Sequence, residues 1–328
     1  MDNREQSVVI NKCKSSTKSV TSGKPQGSVL GPVLFLIYIN DLPNAIESQV
    51  KIFADDTKIF KVVNSLIDRG GLQEDIDRLV AWSKKWQLPF NNDKCKVLHY
   101  GSKNPKYDYV IENKVIQRDT EEKDLGITFD TCLKFNTHIR NIVAKANSRL
   151  GILRRNFTNL SPPVFLPLYK SLIRPLLEYG NCIWSPISVL DGKEIEKVQR
   201  RATRLVNGIG HLSYSNRLKH LNLDSMRFRR RRGDMLQVFR IMKGIDKVPV
   251  DGFFKLCSDS TTRGHSLKLY KPRANTKLRL HSFSNRVIND WNNLNDKTVC
   301  SQSINSFKTH LKKEWFDHPD RFLVFEFD

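Results

Sequence analysis

No run of 18 or more apolar residues occurs in the 328-residue sequence, so no segment is long enough to span a bilayer as a helix. Met1-Asp2-Asn3-Arg4-Glu5 carries no hydrophobic leader, and the expectation is a protein that is neither secreted nor membrane-bound. Cysteine is sparse: Cys13, Cys95, Cys132, Cys182, Cys257 and Cys300 are widely separated and form no Cys-x-x-Cys pair. That spacing argues against zinc fingers and against a disulfide framework, and Cys257 with His265 matches no ligand set. Reduced thiols inside a cell are expected, with the cytoplasm and nucleus as the compartments. Acidic residues are scarce in the second part of the chain. Residues 1–130 hold 19 Lys+Arg against 18 Asp+Glu, or +1, which leaves 36 against 16, or +20, for residues 131–328. A near-neutral front and a strongly basic back suit a protein that handles nucleic acid, with a solubility or nuclear-import role as the competing reading. No internal repeat is visible.

What is present centres on Phe53-Ala54-Asp55-Asp56. Val50-Lys51-Ile52-Phe53-Ala54 and Thr57-Lys58-Ile59-Phe60-Lys61-Val62-Val63 read as strands rich in β-branched and aromatic residues, and the carboxylates of Asp55 and Asp56 fall at the bend between them. Hard oxygen donors in that position favour Mg²⁺ or Mn²⁺, although an ordinary aspartate-rich turn has the same composition. Upstream, Gly23-Lys24-Pro25-Gln26-Gly27-Ser28 forms a loop in which glycines let backbone approach a ligand closely and Gln26 offers hydrogen bonds. Ser28 as N-cap and Pro32 in the first turn predict a helix over 29–42, apolar all round and so expected to be buried.

These motifs together, Pro25-Gln26-Gly27-Ser28, Gly31-Pro32, Ile39-Asn40-Asp41-Leu42 and Phe53-Ala54-Asp55-Asp56, resemble the central motifs of reverse transcriptases from non-LTR retrotransposons of the jockey and CR1 type. The resemblance implies an RNA-directed DNA polymerase using two metal ions, with Asp55 and Asp56 as catalytic metal ligands and Pro25, Gln26, Gly27 and Ser28 at the nucleotide and template. Asn92-Asp93-Lys94 is similar to the segment that sets a lysine near the nucleotide phosphates, which gives Lys94 a role at the leaving pyrophosphate. Leu125-Gly126-Ile127-Thr128-Phe129 looks like the family's primer-grip hairpin. The partners implied are an RNA template, a DNA primer and deoxynucleoside triphosphates. The family's upstream aspartate strand and fingers have no counterpart in residues 1–20, so the chain is expected to be a C-terminal part of such a polymerase, inactive alone and holding metal weakly. A non-catalytic nucleic-acid-binding remnant of a mobile element is the alternative.

Along the chain, Gly70-Gly71 are expected to break the backbone before a helix carrying Leu72, Ile76, Leu79 and Trp82. From Phe135 the period becomes helical. Ile139, Ile142, Ala146, Leu150 and Leu153 mark one helix, and Ile195, Val198, Ala202 and Leu205 another, with Arg200, Arg201 and Arg204 expected to track phosphates. Arg229-Arg230-Arg231-Arg232 is the densest basic run; a phosphate-contacting helix, a nuclear-import signal and a solvated helix face all fit it. The fold class is thus α+β: an incomplete palm over 1–130 with antiparallel strands and helices on one face, a helical basic thumb and connection over 131–248, and a linker with a C-terminal helical segment over 249–328.

Overall fold

The computed structural model describes residues 4–20, 27, 29–257 and 264–322. The chain divides into two compact units, Met1–Thr120 and Glu121–Asp328, the division falling ten residues before the expected end of the palm. The architecture is α+β, with the strands in short two-stranded ladders and the helices concentrated in the second unit.

In the first unit, β1 (Arg4–Gln6) pairs antiparallel with β4 (Lys18–Val20), enclosing a smaller hairpin of β2 (Val9–Ile10) and β3 (Cys13–Lys14). Helix α1 (Leu30–Ile39) leads through a 3₁₀ turn at Leu42–Ala45 into β5 (Gln49–Phe53) and β6 (Asp56–Phe60). Helix α2 (Leu66–Lys85) follows, then β7 (Lys96–Leu98), the hairpin β8 (Val110–Ile111) and β9 (Lys114–Val115), and β10 (Gln117–Asp119), which runs parallel to β7. One side of α2 buries Leu79 and Trp82 with Ile39 and Leu42, and Ile76 joins a second cluster with Tyr109, Ile111 and Ile116.

Two expectations about this unit are corrected. Helix α2 runs through Gly70 and Gly71 instead of starting after them. Its origin is a capping box at Ser65, whose hydroxyl accepts from the Asp68 N–H at 3.2 Å while the Asp68 carboxylate accepts from the Ser65 N–H at 2.9 Å. With the start fixed there and an apolar side to bury, the two glycines are carried at about 1 kcal/mol each. Helix α1 is not buried all round. Only Ile39 is fully enclosed, while Leu30, Leu36 and Ile37 are 64%, 55% and 68% exposed.

The second unit opens with β11 (Glu121–Asp124) and β12 (Ile127–Asp130), then α3 (Asn136–Asn156), α4 (Pro162–Leu168), a π turn at Tyr169–Ile173, α5 (Arg174–Glu178), α6 (Val189–Arg204) and α7 (Tyr214–Leu221). These surround a core that includes Ile139, Ala146, Tyr169, Leu177, Trp184, Val198 and Leu218. Helix α8 (Met226–Met242) gives Met226 to that core and Phe228, Met235, Val238 and Phe239 to a second one, completed by Trp291, Val299, Phe307 and Leu311 from α11 (Ile288–Asn292), α12 (Asp296–Val299) and α13 (Ile304–Glu314). Two short helices, α9 (Lys277–His281) and α10 (Phe283–Arg286), precede α11. Phe254 and Leu269 are buried in the second core. The stretch expected as a linker thus gives Phe254 and Leu269 to this core, and Leu256 bridges Leu269, while most of its other described residues are exposed.

Candidate functional site

The hairpin β5–β6 turns on two residues, Ala54 and Asp55, with Phe53 opposite Asp56. Ala54 takes φ 53°, the left-handed conformation that a two-residue hairpin needs at its first central position and that alanine adopts at a cost of about 1 kcal/mol. Asp55 is therefore the turn and Asp56 the first residue of β6, and both side chains are exposed. The hairpin is anchored from below by the buried Asp75 of α2, whose carboxylate accepts from the backbone N–H groups of Glu47 at 3.1 Å and Ser48 at 2.9 Å and from the Ser48 hydroxyl. Burial alone would raise the Asp75 pKa; the bonds from Ser48 and Glu47 outweigh it and hold the group below the usual carboxylate value. Val50, Ile52 and Ile59 complete the anchor by packing towards Leu42 and Leu79.

Two adjacent, exposed carboxylates are suitable donors for a hard divalent cation, and no salt bridge neutralises either of them among the described residues. They are two donors only. No group of three or more His, Cys, Asp or Glu residues comes together among the described residues. The arrangement fits one side of a magnesium site and leaves the remainder of the shell to water or to other ligands.

Lys94 lies in the exposed turn before β7, where its N–H donates to the Asn91 carbonyl at 3.0 Å. Its neighbour Asp93 is paired with Lys114 at 2.5 Å, which lowers the Asp93 pKa. Lys94 makes no ion pair with Asp55 or Asp56. Gly27 is exposed with φ 80°, a conformation that suits glycine, whereas Pro25, Gln26 and Ser28 lie outside the described residues.

Leu125 and Gly126 form the two-residue turn of β11–β12, both left-handed at φ 44° and 86°. Tyr179 covers this turn, its hydroxyl donating to the Leu125 carbonyl. Sequence reasoning did not join them, because 54 residues separate the pair and neither carries a spacing signal. Between the turn and α3 runs a groove of about 420 Å³ lined by Lys123, Gly126, Thr128, His138, Asn141 and Lys145 among others, with no carboxylate in its lining. His138 is 2% exposed and packs edge-on against Trp184, ring centroids 5.1 Å apart. Its Nδ1 accepts from the Thr128 N–H at 3.3 Å, and burial, helped by the nearby charge of Lys145, lowers its pKa to about 4.

The basic residues separate into two classes. On α3, Arg140, Lys145, Arg149, Arg154 and Arg155 are all exposed, and the helix contains no acidic residue. Helix α6 packs beside it and adds exposed Arg201 and Arg204, with Arg201 donating to the Asn147 side chain at 3.2 Å. Arg200 is half-buried, and its carbonyl accepts from Arg217 at 3.3 Å. The run on α8 is different, and its assignment as a nucleic-acid-binding segment is corrected. Arg229 donates through Nε and Nη2 to the two carboxylate oxygens of Glu178; Arg231 holds Asp290 at 2.5 and 2.8 Å and also reaches Asp320. Arg230 is buried, and desolvation lowers its pKa; Arg232 is half-buried with the same direction and cause. Arg229 and Arg231 are thus neutralised within the fold, and Arg230 and Arg232 are withdrawn from solvent, each with a buried N–H, at Nη1 and Nε, that has no hydrogen-bond partner.

Residues 4–129 match the family described as Reverse transcriptase (RNA-dependent DNA polymerase). This part of the chain is similar to reverse transcriptase domains. Among curated proteins, the RNA-directed DNA polymerase from mobile element jockey of Drosophila melanogaster is 30% identical over 223 residues, covering 63% of this chain and 24% of that protein. The probable RNA-directed DNA polymerases from transposon X-element and transposon BS, of the same organism, are each 28% identical with the same coverage. The chain spans about a quarter of the length of these relatives. Their shared character, non-LTR retrotransposon polymerases, agrees with the resemblance carried by the sequence motifs. Reverse transcriptases use divalent metal ions, and their substrates are nucleic acid and nucleotides. No helix among the described residues is long and apolar enough to cross a membrane.

Proposed function

We propose that this chain is the palm-tip and thumb portion of a non-LTR retrotransposon reverse transcriptase, carrying out template-directed DNA synthesis once combined with the rest of such a polymerase. The observation that carries the reading is the tip of β5–β6: two exposed, unpaired carboxylates on a strained two-residue turn, inside the segment that matches the family. Magnesium or manganese bound there would activate the primer hydroxyl and stabilise the leaving oxygens. Asp55 and Asp56 supply donors to such an ion, and Asp75 keeps their hairpin fixed on α2. With two donors in place, the ion is held weakly by this chain alone. Lys94, exposed on its turn, offers a charge to the pyrophosphate; Pro25, Gln26, Gly27 and Ser28 are assigned to contact with the nucleotide and template.

The primer strand is assigned to the groove beside Leu125–Gly126, where Lys123 and Lys145 supply positive charge and no carboxylate opposes it. Duplex backbone beyond it is assigned to the acid-free face of α3 with Arg201 and Arg204 of α6. Six unpaired cysteines suit a reducing compartment, the cytoplasm and nucleus.

The second reading, a non-catalytic nucleic-acid-binding remnant, draws on the same basic face and on the incomplete ligand set. One chimaera separates the two: the jockey polymerase with its matched quarter replaced by this chain. Primer extension on an RNA template that is abolished by Asp55→Ala supports the polymerase reading. A chimaera that binds primer–template but gives no Asp55-dependent extension overturns it in favour of the remnant.

A further inference from the structure

Between α8, α13 and the 3₁₀ turn Pro319–Arg321 lies a cavity of about 20 Å³. Four of the side chains that line it are charged, Asp224, Arg232, Lys312 and Arg321, and three of these are cations. The carboxylate is already committed: Asp224 accepts from Arg321 Nε at 2.9 Å. Among the described residues, neither Arg232 nor Lys312 is in an ion pair. Arg232 Nε is buried and its N–H has no acceptor. Burial lowers the Arg232 pKa, and so do the charges of Arg229, Arg321 and Arg174, against which Asp224 works. A buried donor without an acceptor, set among excess cations, is a place that an anion stabilises twice, by accepting the bond and by offsetting the charge.

We infer that this cavity is a binding site for one small monovalent anion of the halide class, chloride in a cell, held between Arg232 Nε and Lys312. Its size selects the ligand. A cavity of that volume takes a single particle about as large as a water molecule. Chloride is little larger than water, whereas phosphate, sulfate and carboxylate groups need more room. The remaining walls are Phe228, Leu311 and Trp315, an apolar lining that penalises strongly hydrated polyvalent ions more than a halide. Water would also accept from Nε, but it brings no charge to set against Arg232 and Lys312. Asp224 is the one lining group that opposes an anion, and Arg321 neutralises it. A bound halide would join α8, α13 and the turn before Phe322, so it should stabilise the second unit by mass action. The site stands independently of the polymerase reading.

The test is urea unfolding of the full chain at constant ionic strength, with chloride exchanged for gluconate, which is too large for the cavity. The expected result is a midpoint that rises with chloride and saturates, the folding equilibrium constant increasing about elevenfold at about ten times the Kd. Bromide, close to chloride in size, should give the same saturable rise. Anomalous scattering from a crystal grown in bromide should place the ion within hydrogen-bond distance of Arg232 Nε. Arg232→Gln should abolish the saturable response, and Lys312→Gln, at an exposed position and so tolerated by the fold, should move its half-point to severalfold higher chloride. Equal midpoints in chloride and gluconate would overturn the inference and leave the cavity to water. A chloride response unchanged in both variants, or bromide bound elsewhere with none beside Arg232, would overturn it as well. Should Arg232→Gln fail to fold, the Lys312→Gln titration and the bromide position decide the matter.

Discussion

The hydroxyl of Tyr179 donates to the carbonyl of Leu125 at 3.0 Å, and its ring lies where a side chain on Gly126 would have to go: a Cβ there would come within 3.3 Å of the ring. The turn is thus held from outside by one aromatic residue and kept open by the absence of another side chain. Gly126→Ala meets both the left-handed φ of 86° and that contact, and should lower stability by about 1–2 kcal/mol. Tyr179→Phe keeps the ring and loses the bond, at about 0.5–1 kcal/mol because the residue is largely exposed. Urea midpoints with an unchanged m-value check both; a Gly126→Ala protein as stable as the parent refutes the packing described.

Helix α2 offers the opposite test. Gly70 has nothing within 4 Å of where its Cβ would stand, so Gly70→Ala should stabilise the first unit by about 0.5–1 kcal/mol through the unfolded chain alone. A rise in urea midpoint is expected. A fall would mean that the helix is interrupted at the glycine pair after all.

His138 ties stability to pH. Its ordinary pKa of 6.5 in the unfolded chain drops to about 4 when folded, so between those values the unfolded state binds the extra proton. Stability from this residue is complete above about pH 6.5 and is lost as pH falls towards 4, on the order of 3 kcal/mol over the window. Thermal melts of the parent and of His138→Gln across that range should converge at the acid end. Parallel melting curves would show that the ring is not held neutral.

The two arginine classes should respond differently to substitution. Neutralising Arg201 and Arg204 with Arg149 should flatten the salt dependence of binding to an RNA–DNA hybrid by about 0.7–0.9 in log–log slope for each phosphate contact removed, with stability nearly unchanged. Arg231→Ala strands Asp290, leaves Asp320 with Arg227, and should cost about 2–3 kcal/mol while leaving the slope alone. Anisotropy titrations at several salt concentrations, paired with urea unfolding, decide it; a slope that falls with Arg231→Ala would restore α8 to the nucleic-acid surface.

Local pattern made much of this visible. The hairpin around Asp55, the helical period of α3 and α6, and the motif order that marks the family are all short-range signals; the bend at Asp55 and the start of α3 after Phe135 lie where the sequence put them. What sequence could not show was set by distant partners. Arg229 and Arg231 read as free charge because Glu178, Asp290 and Asp320 stand 51, 59 and 89 residues away. Gly70-Gly71 read as a break because the capping box that starts α2 five residues earlier outweighs local propensity. Helix α1 read as enclosed because composition records that a surface is apolar and not whether anything covers it. Residues 249–279 read as a linker because Phe254 and Leu269 are single anchors without period.

The bonds around α8 also set an order of events during synthesis. Asp234 holds Arg286 at 2.9 Å, Arg321 holds Asp224 at 2.9 Å, and the Ser225 hydroxyl donates to the Asp320 carbonyl, 95 residues further on. A ribosome adding about 5–20 residues per second needs roughly 5–20 s to travel from the start of α8 to those partners. During that interval Arg229 can already close on Glu178, whereas Arg231 and Asp234 still lack Asp290 and Arg286. Translation that stops before Asp320 therefore leaves Asp224 and the Ser225 hydroxyl, at the start of α8, without their partners.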